Sequence, residues 1–385
     1  MSLLERCYSE EHQIFRDAVR RLFEKEIAPR SEECEEEKAV PRDIWKKLAE
    51  QGFLCPWVPE EYGGAGIDFL YSVIIMEEAT RTGCNNIMWP LVLHSDIVVP
   101  YIYHFGNEEQ KKKWLPGCVS GDLLASIVMT EPDAGSDLAA IRATAVRDGD
   151  HYIINGQKTF ISCGAICDLG VVAVKTDTKA DPPFKGMSLI VVEYGTPGFS
   201  KSAKFDKVGF HANATSGLIF EDCRVPVENL LGKEGEGFKY LMTDLQQERL
   251  VIALGSQLMA EQALKETINY TKERKVFGSP VSSFQHISFE LAKMATEIEL
   301  GRTFIESLII DHIEGKNVVE KVSMAKYWIP EMLNHMIGKC LQFHGGYGYM
   351  EEYPIARLFR DARCQTLLGG ASEVMLLIIS RNLGL

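Results

Sequence analysis

Residues 151–162 read HYIINGQKTFIS. Apolar and polar residues alternate there with a two-residue period, the pattern of a half-buried strand. Asn155-Gly156 favours the positive φ of a tight turn, so the stretch reads as strand, hairpin turn, strand. LGVVAVKTD (169–177) and GMSLIVVEYG (186–195) are further apolar strands. KVGFHANATSGLIFEDCRVP (207–226) adds another, closed by Pro226. No long helical stretch separates these runs. They predict a small antiparallel sheet or barrel rather than a parallel α/β sheet.

Outward from this centre the texture is helical. Ile14, Val19 and Leu22, then Ile44, Trp45 and Leu48, recur at helical spacing between charged residues. PEEYGGAGI (59–67) is a Gly-rich connection, SVIIMEEATRTG (72–83) opens a helix, and EEQKKKWLP (108–116) ends one at Pro116. Beyond the strands, Ile287, Leu291, Met294, Ile298, Gly301, Ile305 and Leu308 form the apolar stripe of a bundle helix. Pro330 should kink or interrupt the next helix. The order is helices, strands, helices: an α+β chain with a helical domain at 1–120, a β domain at 121–235 and a helical domain at 236–385.

Composition narrows the function. A chain of 385 residues suits two or three packed units. Its net charge of -13 argues against binding nucleic acid through the phosphate backbone. The acidic run SEECEEEK (31–38) reads as a solvated helix face or turn. No apolar run reaches the roughly 18 residues of a spanning helix, and the first residues lack a signal peptide's apolar core. The 10 cysteines form no CxxC and the 9 histidines no HExxH. Reduced thiols and no metal site are expected.

Five motifs occur in order: MTEPDAGSD (129–137), NGQKTFIS (155–162), FEDCRVPVENLLG (220–232), ERKVFGSPVSSFQ (273–285) and QFHGGYGYMEEYPIARLFRDAR (342–363). Together they resemble the acyl-CoA dehydrogenase family over essentially the whole chain. The resemblance implies an N-terminal α-helical domain, a central antiparallel β domain and a C-terminal four-helix bundle. It implies a homotetramer holding FAD between domains and across a subunit interface. It also implies an acyl-CoA substrate and an electron-transferring flavoprotein as partner, in a bacterial cytoplasm or a mitochondrial matrix.

By the same resemblance, Met129 and Thr130 contact the flavin ring, and Ser136 lies near the phosphates or the thioester. Phe160 stacks on the flavin and Ser162 hydrogen-bonds near N5. Read locally, MTEPDAGSD is a turn before a helix and Phe160 a core strand residue. Arg274 matches the arginine that reaches the FAD pyrophosphate of a neighbouring subunit, a task suited to a fixed cationic fork. Phe277, Gln285, Gln342, Gly345 and Gly346 match further positions around the cofactor, as do Ala371 and Glu373. Arg249 falls at a substrate position, and His344 reads as structural.

The reaction implied is α,β-dehydrogenation to a trans-2-enoyl thioester, which needs a base at the α-carbon. Many members place a glutamate just before a Gly-Thr pair near the C-terminus. Here the stretch is QTLLGGASEVML (365–376), and Gly369 stands at that position. LQQERLVIA (245–253) supplies Glu248 instead, where the long-chain and isovaleryl branches carry their base. The Gly-Gly pair and HSDIVVPYIYHFGNEEQ (94–110) resemble the long-chain branch. The backbone N–H at 369 can still polarise the thioester carbonyl. Ala371 replaces a typical threonine, and VGFHANATSG (208–217) lacks an arginine often found there. Asp96 is the next carboxylate to consider. A branched or cyclic acyl group, an acyl-CoA oxidase and an inactive flavin-binding relative are the alternatives.

Overall fold

The computed structural model describes residues 3–385. Seven helices come first: α1 (Glu10–Leu22), α2 (Ser31–Glu36), α3 (Arg42–Glu50), α4 (Phe69–Arg81), α5 (Asn85–Val92), α6 (Val99–Phe105) and α7 (Glu108–Val119). Their starts follow from local chemistry. Ser9 and His12 form a reciprocal cap on α1, Asn107 and Gln110 another on α7, and Asp68 caps α4. Val19 lies in the core as expected, but Ile14 is 63% exposed. α7 does not stop at Pro116 and runs on to Val119.

The sheet consists of β1 (Ala125–Val128), β2 (Thr144–Asp148), β3 (His151–Ile161), β4 (Leu169–Lys175), β5 (Met187–Glu193), β6 (Phe199–Lys201), β7 (Ser216–Pro226) and β8 (Leu230–Leu231), ordered β6-β7-β3-β2-β4-β5-β8 with β1 on β4. Most pairs are antiparallel, but β1 runs parallel to β4 over four residues, so the sheet is mixed. The β2–β3 hairpin between them lets the chain return in the same direction.

Asn155-Gly156 is not a turn. β3 continues through it, with a register shift against β7 between Ile154 and Gly156, and the hairpin turn lies at Gly149, with φ 63°. Asn155 instead exchanges two side-chain hydrogen bonds with Asp222. A Cβ on Gly156 would lie 2.5 Å from the Cβ of Ala143, just before β2, so a close backbone approach, not a turn, requires the glycine.

Five helices make up the rest of the described chain, the first separated from the others by a small hairpin: α8 (Gly237–Glu273), then β9 (Lys275–Val276) and β10 (Ser279–Pro280), then α9 (Gln285–Ile313), α10 (Val319–His344), α11 (Pro354–Cys364) and α12 (Ser372–Asn382). The stripe on α9 is buried from Leu291 to Leu308. α8 is buried all round from Glu248 to Ala260, as befits a helix enclosed on every side. α10 is continuous through Pro330.

Candidate active site

α8 carries Glu248 into the interior, where its side chain is 3% exposed. The Tyr101 hydroxyl, from α6, donates to Glu248 Oε1 at 2.6 Å. Burial pushes the Glu248 carboxyl up to about 7, against the Tyr101 hydrogen bond, while Asp244 one turn earlier pushes it further up. Asp244 is held by His104 at 3.0 Å. Tyr101 was missed by sequence reasoning. It sits 147 residues from its partner, and only its place inside the HSDIVVPYIYHFGNEEQ stretch marked it.

The Gly369–Gly370 turn lies against the same stretch of α8. A Cβ at 369 would collide with Ile252 Cδ1, one helical turn beyond Glu248. A Cβ at 370 would meet Arg249 at 3.9 Å. Both glycines have positive φ, +62° and +104°. Neither of their N–H groups donates to a protein acceptor among the described residues. Arg249 is buried, its Nε has no hydrogen-bond partner, and burial holds its guanidinium below the usual range.

Asp96 is also close to this helix. Gln247 Nε2 donates to the Asp96 carbonyl at 2.7 Å. The Asp96 carboxylate accepts from Ser72 Oγ at 2.6 Å, and burial pushes it up to about 7.

The sheet holds a second group of expected residues. Met129 and Thr130 follow β1, and their loop is stitched to β3. Thr159 N–H donates to the Thr130 carbonyl at 2.9 Å, and Lys158 Nζ donates to the Met129 carbonyl at 2.9 Å. Lys158 also pairs with the buried Glu131 at 2.8 Å, and Glu131 accepts from the N–H groups of Arg142 and Ala143. This pair was not read from the sequence: Lys158 is the single charge of NGQKTFIS, but MTEPDAGSD offers Glu131, Asp133 and Asp137 alike. Phe160 is not a core strand residue. The register shift between Lys158 and Ile161 swings it out at φ 57°, and it is 69% exposed. Ser162 accepts from Ser126 Oγ through its carbonyl, and Ser136 lies exposed in its loop.

A third group lies elsewhere. Arg274, Gln342, Gly345 and Gly346 line a cavity of about 530 Å³ with Tyr270 and Tyr347. The Arg274 guanidinium stands 5.5 Å from the Tyr347 ring centroid and makes no ion pair among the described residues. Phe277 tips the β9–β10 hairpin at φ 51° and is 97% exposed; Gln285 opens α9 beside it. Arg274 is separated from Glu248 by 26 residues of helix, about 39 Å along the axis. Ala371 caps α12, and Glu373 lines a separate cavity of about 330 Å³ with Glu331 and Arg363.

Three family descriptions cover the chain: "Acyl-CoA dehydrogenase, N-terminal domain" at 9–122, "middle domain" at 126–223 and "C-terminal domain" at 235–384. The "Long-chain specific acyl-CoA dehydrogenase, mitochondrial" of Sus scrofa is 42% identical, over 99% of this chain and 88% of that protein. The chain belongs to the acyl-CoA dehydrogenase family. The crystal structure of acyl-CoA dehydrogenase from Geobacillus kaustophilus superposes with a TM-score of 0.97 at 53% identity, covering 99% of this chain and 100% of that one. A glutaryl-CoA dehydrogenase from Mycobacterium smegmatis, solved "in complex with FADH2", superposes at 0.89 with 28% identity, covering 98% and 96%.

FAD is the cofactor of acyl-CoA dehydrogenases, and this chain's own residues suit it. Phe160 offers an exposed ring, and the 369 N–H group is an unclaimed donor. Arg274 is an unpaired cation beside Gly345 and Gly346, whose missing side chains leave open space within 4 Å. These are two separate places on the chain: the exposed Phe160 ring suits a flat ring system, and the Arg274 cleft suits a pyrophosphate.

Proposed function

We propose that this acyl-CoA dehydrogenase oxidises a long-chain acyl-CoA to its trans-2-enoyl form with Glu248 as the α-proton base. The observation carrying this reading is the buried Glu248 carboxylate on α8 beside a Gly369–Gly370 turn that has no side chain to do the same work. FAD, when bound, supplies the hydride acceptor for the β-carbon.

The rest is done by the chain. Tyr101 orients the Glu248 carboxylate through its hydroxyl. Burial raises the carboxylate's basicity towards neutrality, where a general base works best. The N–H of Gly369 donates to the thioester carbonyl and stabilises the negative charge that develops as the α-proton leaves. Arg249 contributes positive charge next to that turn. Glu248 accepts one proton, the substrate loses a proton and a hydride, and the enoyl product is released.

The long-chain preference rests on the branch likeness of the Gly-Gly turn and of residues 94–110, together with the 42% identity to a long-chain enzyme. Arg274 and Phe277 serve the cofactor site of a neighbouring copy in a homotetramer, because they lie too far along α8 to serve their own. An electron-transferring flavoprotein takes up the electrons.

The test is anaerobic flavin reduction by a panel of acyl-CoA thioesters, in wild type and Glu248→Gln. The variant should bind FAD and substrate yet reduce about 10²–10⁴-fold more slowly. Reduction at the wild-type rate removes Glu248 from the mechanism, and rapid oxygen uptake by the wild type favours an oxidase.

A further inference from the structure

Lys326, about two turns into α10, is fully buried, at 0% exposure. It makes no ion pair among the described residues. Its Nζ donates instead to two backbone carbonyls, Gln365 at 3.0 Å and Gly370 at 2.7 Å. Those carbonyls bracket the turn that presents the Gly369 N–H. Burial pulls the ammonium down to about 8, with Arg249 adding to the effect. A buried cation without a carboxylate partner is costly unless its donors are hydrogen-bonded. Here the two carbonyls are its compensation, and they belong to a turn that passes through the left-handed backbone region. Gly369 and Gly370 both have positive φ and no N–H bond of their own to hold them.

We infer that Lys326 is a positioning residue: it clamps the Gln365–Gly370 turn so that the Gly369 N–H points at the thioester carbonyl. This rests on the donor role given to Gly369 above. Lys326 touches neither substrate nor cofactor in this account; it acts through the turn. Displacing a donor by about 1 Å can cost about 10²-fold in rate, so the clamp reads out in chemistry more than in binding.

The test uses the FAD-loaded enzyme, with Lys326→Met and Lys326→Gln measured in parallel and Lys326→Arg as the conservative rescue. The probe is trans-2-enoyl-CoA labelled with ¹³C at the thioester carbonyl, whose infrared stretch reports the hydrogen bonds made to it. Met should lose part of the wild-type red shift. Its kcat for anaerobic flavin reduction should fall about 10²-fold while KM changes less than about threefold. Gln, which is too short to reach both carbonyls, should fall between Met and wild type, and Arg should recover much of the shift. A Met or Gln variant that holds FAD and shows the wild-type stretch overturns the inference, whatever its rate. Glu248→Gln in the same experiment should lose reduction and keep the carbonyl shift. If it instead reduces at the wild-type rate, the base assignment fails while the carbonyl stretch still decides the role of Lys326.

Discussion

The surroundings of Glu248, within the N-terminal third of α8, and of Arg274, at its C-terminal end, are built on opposite principles. At Glu248 every polar group is enclosed: Tyr101 holds the carboxylate, and Arg249 is buried beside the Gly369–Gly370 turn. At Arg274 the cation is exposed, its neighbours are glycines with empty space around them, and a phenylalanine stands almost fully in solvent on a hairpin tip. The first end is finished within one chain. The second has the character of a half-site: Phe277 is 97% exposed with an edge contact to Phe284, and Arg274 has the Tyr347 ring beside it but no ion pair among the described residues. Burial therefore separates the residues proposed to tune chemistry from those proposed to hold cofactor between subunits.

The largest effect belongs to the closed end, where Glu248→Gln should slow flavin reduction about 10²–10⁴-fold with FAD content unchanged. At the open end the outcome should invert. Arg274→Ala should weaken FAD retention about 10- to 100-fold, the worth of one charge-assisted hydrogen bond, while reduction per bound flavin stays near wild type. Fluorescence of released flavin on dilution measures the first quantity and stopped-flow absorbance the second. A rate loss without flavin loss in Arg274→Ala would erase the contrast.

A smaller effect tests the closed end's geometry. Moving the carboxylate across the site, Glu248→Gly with Gly369→Glu, meets the collision with Ile252 Cδ1 and the positive φ at 369. Adding Ile252→Val removes that methyl group. The triple variant should reduce about tenfold faster than the double, still below wild type, since a misplaced base loses much of its advantage. Equal rates for double and triple would show that Ile252 is not the obstacle.

The smallest expected change is at Tyr101. Its hydroxyl favours the ionised carboxylate, so Tyr101→Phe should raise the Glu248 pKa further. Because the base works ionised, the acid limb of kcat/KM should move to higher pH, and rates well above it should fall less than about tenfold. A limb that moves to lower pH contradicts the hydrogen bond's role.

Much of this was legible in the chain. The helix–strand–helix order came from a change of period at residues 121 and 236, and Glu248 stood out because Gly369 could not serve. Other features were hidden for physical reasons. Asn155-Gly156 has strong local turn chemistry, but the contact with Ala143 and the bonds to Asp222 override it. The parallel β1–β4 pair depends on the path of the intervening hairpin, which no local pattern records. Phe160 has the pattern of a core strand residue, and only the bulge turns it outward. Lys326 looks like any helical lysine until the turn 39 residues later folds onto it.

Burial pushes two carboxyls beside α8, Glu248 and Asp96, up to about 7, so a neutral limb in the wild-type pH profile names neither by itself. The most direct test is the pH dependence of anaerobic flavin reduction, under kcat/KM conditions, in wild type, Glu248→Gln and Asp96→Asn. The rate should rise through about pH 7 in wild type and in Asp96→Asn, and Glu248→Gln should be slow with that limb gone. A Glu248→Gln profile that keeps the limb and the rate, alongside an Asp96→Asn profile that loses both, would contradict the account and move the base to Asp96.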